Sequence, residues 1–394
     1  LSGSNRYRPL NLMKGFFEKR YSTIGAIESS DDGTIYIGAS TFLAEYSPES
    51  PSSEIISDFS WVKTISKADD LFLLGTDAGL YSFCPGNNEI RHIKKTVVWD
   101  ILSDMNGDIW FGTDNGLMMF KSDNLIDSIE GIPENANHLF TSISGNRDGL
   151  FFAGGSYGMV VFDDINQKQT RWYNMEDSEF PFRHNKVRQI VYDESKDDIW
   201  VSTASGALKF NKETNLFDLY VVSNNSFYQA YDICFSDGKM WFAALDGLCC
   251  VQNDSIARRY TVKDGLTSNR INQVTKDRNG RIWMRSFDRN IFILDPDTDI
   301  LSQYRFPNNA MTRGDQIFSD SEGSIWITSA NHVYQIKHGD PVSGFYDYNL
   351  KGHPTNHCTE IIEVDRTIWV CFSNGIYILD KAGKVVTKIS TRKA

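Results

Sequence analysis

Long apolar runs are missing from this chain. No stretch approaches the ~20 residues that a membrane-spanning helix needs, so any membrane attachment is expected only through segments outside the sequence. Basic charge is in deficit: 40 Lys and Arg against 51 Asp and Glu leave a net charge of −11. That balance argues against nucleic acid as a partner. Cysteine is sparse and unpatterned. Cys84, Cys234, Cys249, Cys250, Cys358 and Cys371 form no C-x-x-C, and no Cys/His metal spacing occurs, so they read as buried free thiols, with no metal or cofactor expected. G-x-S-x-G and H-E-x-x-H are both absent. Paired carboxylates such as Glu360 with Glu363 or Asp197 with Asp198 fall where strand ends and turns explain them, so the chain is not expected to be an enzyme. There is no low-complexity tract and no Pro/Ser-rich linker, and residues 1–394 read as one domain.

What the chain has is a phrase repeated nine times. It is clearest as GDIWFGTDNGLMMF at residues 107–120, and returns as DDIWVSTASGALKF at 197–210 and GKMWFAALDGLCCV at 238–251. Taking the place of Trp110 as an anchor, the nine anchors are Tyr36, Leu73, Trp110, Phe152, Trp200, Trp241, Trp283, Trp326 and Trp369. Six of the nine tryptophans stand at anchors, which rules out coincidence. Ten residues after each anchor comes an apolar residue, from Tyr46 and Phe83 to Ile336 and Leu379.

Within a repeat, an alternating run such as Ile271 to Val274 predicts a strand. D-x-x-G follows, as in Asp277 to Gly280 and Asp320 to Gly323. Aspartate in the first place suits a type I turn, and glycine in the fourth takes the positive φ of a tight hairpin. The anchor strand, a second tight turn, a third strand and a fourth such as Leu301 to Phe306 complete a four-stranded sheet. A period near forty built this way predicts an all-β fold, a β-propeller of four-stranded antiparallel blades. Nine blades are expected, with eight as the alternative, and an extra N-terminal strand around Phe16 to Tyr21 helping to close the ring.

The phrase D-x-x-G-x-[IL]-W-[IVF]-G-T-x-x-G-[LI] resembles the two-component regulator propeller repeats, and Asp264 to Ile271 (DGLTSNRI) resembles that family's lead-in. The resemblance implies the extracytoplasmic sensor part of a hybrid histidine kinase, periplasmic or extracellular. It implies a carbohydrate ligand and a kinase outside this chain. Partners expected are an oligosaccharide or other small ligand and, as an option, a second copy of the chain. A carbohydrate-active propeller enzyme and a protein-binding scaffold are the competing readings.

Departures from the repeat mark the candidate site. Two residues after the anchor the side chain is small in eight repeats, and Arg285 is the exception. Six residues after it glycine is usual, but Phe42, Arg289 and His332 stand there in repeats one, seven and eight. Connections expected on the same face carry Arg183, His184, Arg188, Tyr228, Asn269, Arg270 and Arg313. Arginine forks beside aromatics suit an anionic saccharide or another carboxylated or sulfated ligand. Pairing of these arginines with Asp264 or Asp288 is the plainer alternative.

Overall fold

A computed structural model describes residues 24–48, 52–68, 70–103, 108–121, 124–126, 140–145, 150–156, 158–163, 168–173, 186–193, 196–204, 206–220, 230–306, 316–329, 332–337, 345–349, 358–364, 366–372 and 375–390. Their strands form nine antiparallel sheets of four, each built from consecutive strands. These are the nine blades of a β-propeller, the larger of the two expected numbers. The strand expected around Phe16 to Tyr21 lies outside the described residues. By packing the chain divides into two compact units, Leu1–Val201 and Ser202–Ala394.

In the first unit the leading strands of successive blades pack on one another. The gaps from blade one to blade four each hold their own apolar core. Tyr36 and Leu43 of blade one meet Phe72, Leu74 and Phe83 of blade two, and Trp110 of blade three meets Phe151 and Val160 of blade four. The second unit repeats the scheme. Trp241 of blade six packs with Ile282 and Leu294 of blade seven, and Trp326 of blade eight with Ile368 and Leu379 of blade nine.

The small residue after the anchor has a steric cause. A Cβ on Gly38 would lie 2.4 Å from Cγ1 of Val62 in the next blade, and one on Gly154 would lie 2.6 Å from Cγ1 of Val187. At blade seven the position holds Arg285, only 5% exposed. Counting along the sequence, the residue in the place of Val62 is then Gly314, outside the described residues.

Blade seven departs from the expected pattern in a second way. In seven other blades the anchor stands opposite the ninth residue after it, as in Trp110 with Met119, Trp241 with Cys250 and Trp326 with Gln335. Trp283 stands opposite Ile293, the tenth. The hairpin here is one residue longer, with Ser286 N–H bonded to Asn290 O at 3.0 Å. Because strand side chains alternate faces, one extra residue reverses them. Ile293 therefore shares a core with Trp283 and blade eight, while Leu294 takes the face toward blade six. Arg289 does not replace the usual glycine. It is the added residue, at φ 67°.

The D-x-x-G turns form as expected, with Gly280 at φ 76° and Gly323 at φ 73°. The aspartate also does something the spacing did not announce. Asp277 Oδ1 accepts the N–H groups of Asn279 and Arg281, and Oδ2 accepts the buried indole N–H of Trp283 at 2.9 Å. Asp320 holds Trp326 in the same way, also at 2.9 Å. The motif is thus a turn and a tryptophan clip in one. The fourth strand of blade seven is shorter than expected, Ile300–Gln303. Tyr304 and Phe306 instead turn into the core shared with blade eight.

Candidate functional site

The leading strands carry a recurrent irregularity. In seven blades one residue near the strand's start is skipped by the pairing: Gly25, Lys63, Trp99, Thr141, Tyr231, Asn272 and Thr359. Such bulges re-aim a side chain.

In the second unit the bulge residue Tyr231 meets Phe287, first residue of the long blade-seven hairpin, edge to face at 5.1 Å. Phe287 is 38% exposed, among the few large apolar side chains left open to solvent. The guanidinium of Arg270 lies over its ring, 4.6 Å from the centroid. Phe287 N–H donates to Arg270 O at 2.8 Å, fixing hairpin to connection. Among the described residues Arg270 has no acidic partner. Arg289, exposed, sits two residues further along the same turn.

The surroundings are braced. Val262–Asp264 forms one short turn of helix, capped reciprocally by Thr261 and Asp264, and Gly265 at φ 117° turns the chain back. Asn269 is consumed by this scaffold: its Oδ1 accepts Val262 N–H at 2.7 Å, and its amide faces Asp246. Asp264 pairs with Arg258 at 3.0 Å. Asp288 accepts the hydroxyls of Thr267, at 2.9 Å, and Ser286. Burial works to raise both carboxyls, but Thr261 and Arg258 around Asp264, and Ser286, Thr267 and Asn290 around Asp288, hold them below the usual range. Both acids named as alternative arginine partners are therefore engaged by other groups.

The other candidates are dispersed. His332 is half-buried and stacks on Tyr334 at 5.7 Å. Arg285 lies inside the blade-seven sheet between Gln273 and Ile291. Arg188 lies on the strand Val187–Asp193, in the first unit. Arg183, His184, Tyr228 and Arg313 lie outside the described residues. Phe287, the centre of the platform, was not singled out from the sequence. Its signal is an aromatic as the first turn residue, where the other repeats carry Ser40, Asp77, Asp114, Ser156, Ala204, Leu245, Ala330 and Ser373.

No group of three His, Cys, Asp or Glu among the described residues is placed to hold a metal. No helix there is long and apolar enough to cross a membrane.

Among solved structures the chain is similar to the extracellular domain of a proposed hybrid two component system from B. thetaiotaomicron. The identity is 21% and the TM-score 0.50, over 94% of this chain and 60% of that one. It is also similar to the Dos1 propeller, at 12% identity and TM-score 0.55, over 78% of this chain and 89% of that one. Virginiamycin B lyase from Staphylococcus aureus follows at 12% identity and TM-score 0.45, over 89% and 92%. The chain thus spans about 60% of the length of the B. thetaiotaomicron domain. No curated protein sequence matches. Residues 92–115 match the family model described as two component regulator propeller. The resemblance carried by the repeats is therefore met by that family's model over these residues.

Proposed function

We propose that this chain is the sensing propeller of a two-component signalling protein, working outside the cytoplasm, and that it reads an anionic saccharide at Arg270, Phe287 and Tyr231. The observation that carries the reading is the Arg270–Phe287 stack. A guanidinium fixed over an exposed ring, with no acidic partner among the described residues, offers a charged fork and a flat apolar face together. A sugar ring bearing a carboxylate or sulfate satisfies both. The likeness to a two-component extracellular domain, the family match at residues 92–115 and the acidic background favour a sensor that selects a local anion over a general polyanion binder.

Turnover is the less favoured reading. A general acid needs a raised pKa and access to substrate. Asp264 and Asp288 beside the platform are held low. Asp232, the carboxyl pushed up to about 7 by burial, is 8% exposed and accepts backbone N–H groups from Ile233 and Val274.

Calorimetric titration with sulfated and uronate-containing oligosaccharides, followed by product analysis, tests the proposal. Arg270→Ala is expected to weaken binding roughly tenfold or more, the scale of a lost charge-assisted contact, without product from either protein. Release of product would replace the sensor with an enzyme. Undiminished binding by Arg270→Ala would move the ligand elsewhere.

A further inference from the structure

In the first unit another pair of bulge residues, Lys63 and Trp99, builds an arrangement of opposite charge character. Lys63 is only 1% exposed. Its Nζ lies 3.6 Å from the ring centroid of Trp61 and 4.2 Å from that of Trp99, so the ammonium is held between two indoles. Asp77, in the hairpin of blade two, takes the ammonium at 2.5 Å and keeps its own side chain 45% exposed. Asp77 N–H also bonds to Trp61 O at 3.2 Å, tying hairpin to strand entrance. Both indoles are half-buried and keep part of their surface in solvent. Their N–H groups are buried with no acceptor among the described residues.

Burying an ammonium is costly even when it is paired. Of the bulge residues whose side chains are described, Lys63 is the charged one that is fully buried. Here the lysine neutralises one side of Asp77 and stiffens both indoles, while the carboxylate and the two half-buried indoles keep part of their surface in solvent. The neighbouring hairpin adds a second exposed carboxylate, Asp114, which accepts from Thr96 and Val97. Such a surface repels anions and accepts hydrogen bonds from hydroxyl groups, and its indoles cover the apolar face of a ring.

We infer that Trp61, Asp77 and Trp99 form a binding site for a neutral saccharide, with Lys63 as the residue that positions the carboxylate and the indoles. The inference stands on residues of the first unit and does not depend on the Arg270 platform.

The test titrates the full chain with neutral gluco-, manno- and xylo-oligosaccharides, followed by tryptophan fluorescence and calorimetry, beside a sulfated oligosaccharide. Neutral ligands are expected to shield tryptophan from acrylamide quenching. Asp77→Asn, which keeps size and removes charge, is expected to weaken them roughly tenfold; Trp61→Ala is expected to remove binding, and Arg270→Ala to leave it unchanged. Thermal melts establish that each variant is folded. Lys63→Met separates positioning from contact: the ligand's affinity falls while the same oligosaccharide still binds, and with it the dependence on Asp77 diminishes. No neutral saccharide bound by the parent chain would overturn the inference, as would binding that survives both Asp77→Asn and Trp61→Ala. Binding of tetramethylammonium alone, lost in Asp77→Asn, would overturn it in favour of a cation site. Failure of the sulfated ligand with neutral binding intact would count against the Arg270 reading and not this one.

Discussion

Asp277 is 3% exposed and serves two backbone N–H groups, the Arg281 side chain and the Trp283 indole. Removing it leaves a buried indole N–H and two turn donors without their acceptor. Asp277→Ala is expected to cost about 2–4 kcal/mol, measured as a lowered Tm. Blade six supplies an internal comparison, since Phe235 stands in the place of Asp277 and the Trp241 N–H has no acceptor among the described residues. Asp232 is a different kind of buried acid. It bridges two leading strands through Val274 N–H at 3.0 Å, the role Asp100 plays toward Ile143 at 2.9 Å. Burial raises its pKa to about 7, with both backbone bonds working against the rise. The folded protein then holds this proton up to about 7, while the unfolded chain releases it near 4. Its contribution to stability is full below about pH 4 and is lost as pH rises through 7. Asp232→Asn removes that dependence. The Tm of the parent relative to the variant is expected to fall between pH 5 and pH 8, and a flat difference would show that the carboxyl is already ionised at pH 5.

The blade-seven hairpin shows where a sequence ruler succeeds and where it slips. The nine anchors and the turn motif were readable because burial between blades demands the same apolar places in every copy. The inserted Arg289 was not readable as an insertion, because Ile293 and Leu294 are both apolar and either completes the pattern. The structure separates them by face. The strand-bridging residues Asp100, Asp232 and Ser142, whose hydroxyl accepts Ile190 N–H at 3.2 Å, were readable in principle, since each lies nine or ten residues before its anchor. They went unmarked because a polar residue in a strand ordinarily faces solvent. Lys63 gave no signal at all, for a lysine stem ordinarily carries its charge outward. The insertion yields a paired prediction. Arg289→Gly keeps the length and relieves a left-handed backbone, so stability is expected to rise by about 1 kcal/mol. Deleting residue 289 restores the two-residue turn of the other blades and leaves Ile293 opposite Trp283, so the Tm is expected to stay close to the parent's. A sharp fall in Tm on deletion would mean that Arg289 is not the added residue.

At the scale of the molecule, stability is a chain of neighbour contacts. Six of the described cores join two successive blades, as expected when no blade can bury both faces alone; a further one, Ala39, Phe42 and Ala44 with Ile55, belongs to blade one. Damage at one anchor should therefore stay local: Trp326→Ala, at a fully buried site, is expected to cost about 3–5 kcal/mol, with hydrogen exchange quickened first in the strands of blades eight and nine. The charge acts over the whole molecule instead. With a net charge of −11, the distant field repels an anionic saccharide, while the attraction of Arg270 is short in range and partly shielded by Phe287. Salt screens the distant term first, the Debye length shrinking from about 30 Å at 0.01 M to about 10 Å at 0.1 M. The association rate of a sulfated oligosaccharide is therefore expected to rise or hold level across that range, opposite to a receptor whose basic surface steers its ligand. Stopped-flow rates at the two salt concentrations decide the sign. A steep fall would mean that a broad basic surface, and not one guanidinium on an acidic molecule, captures the ligand.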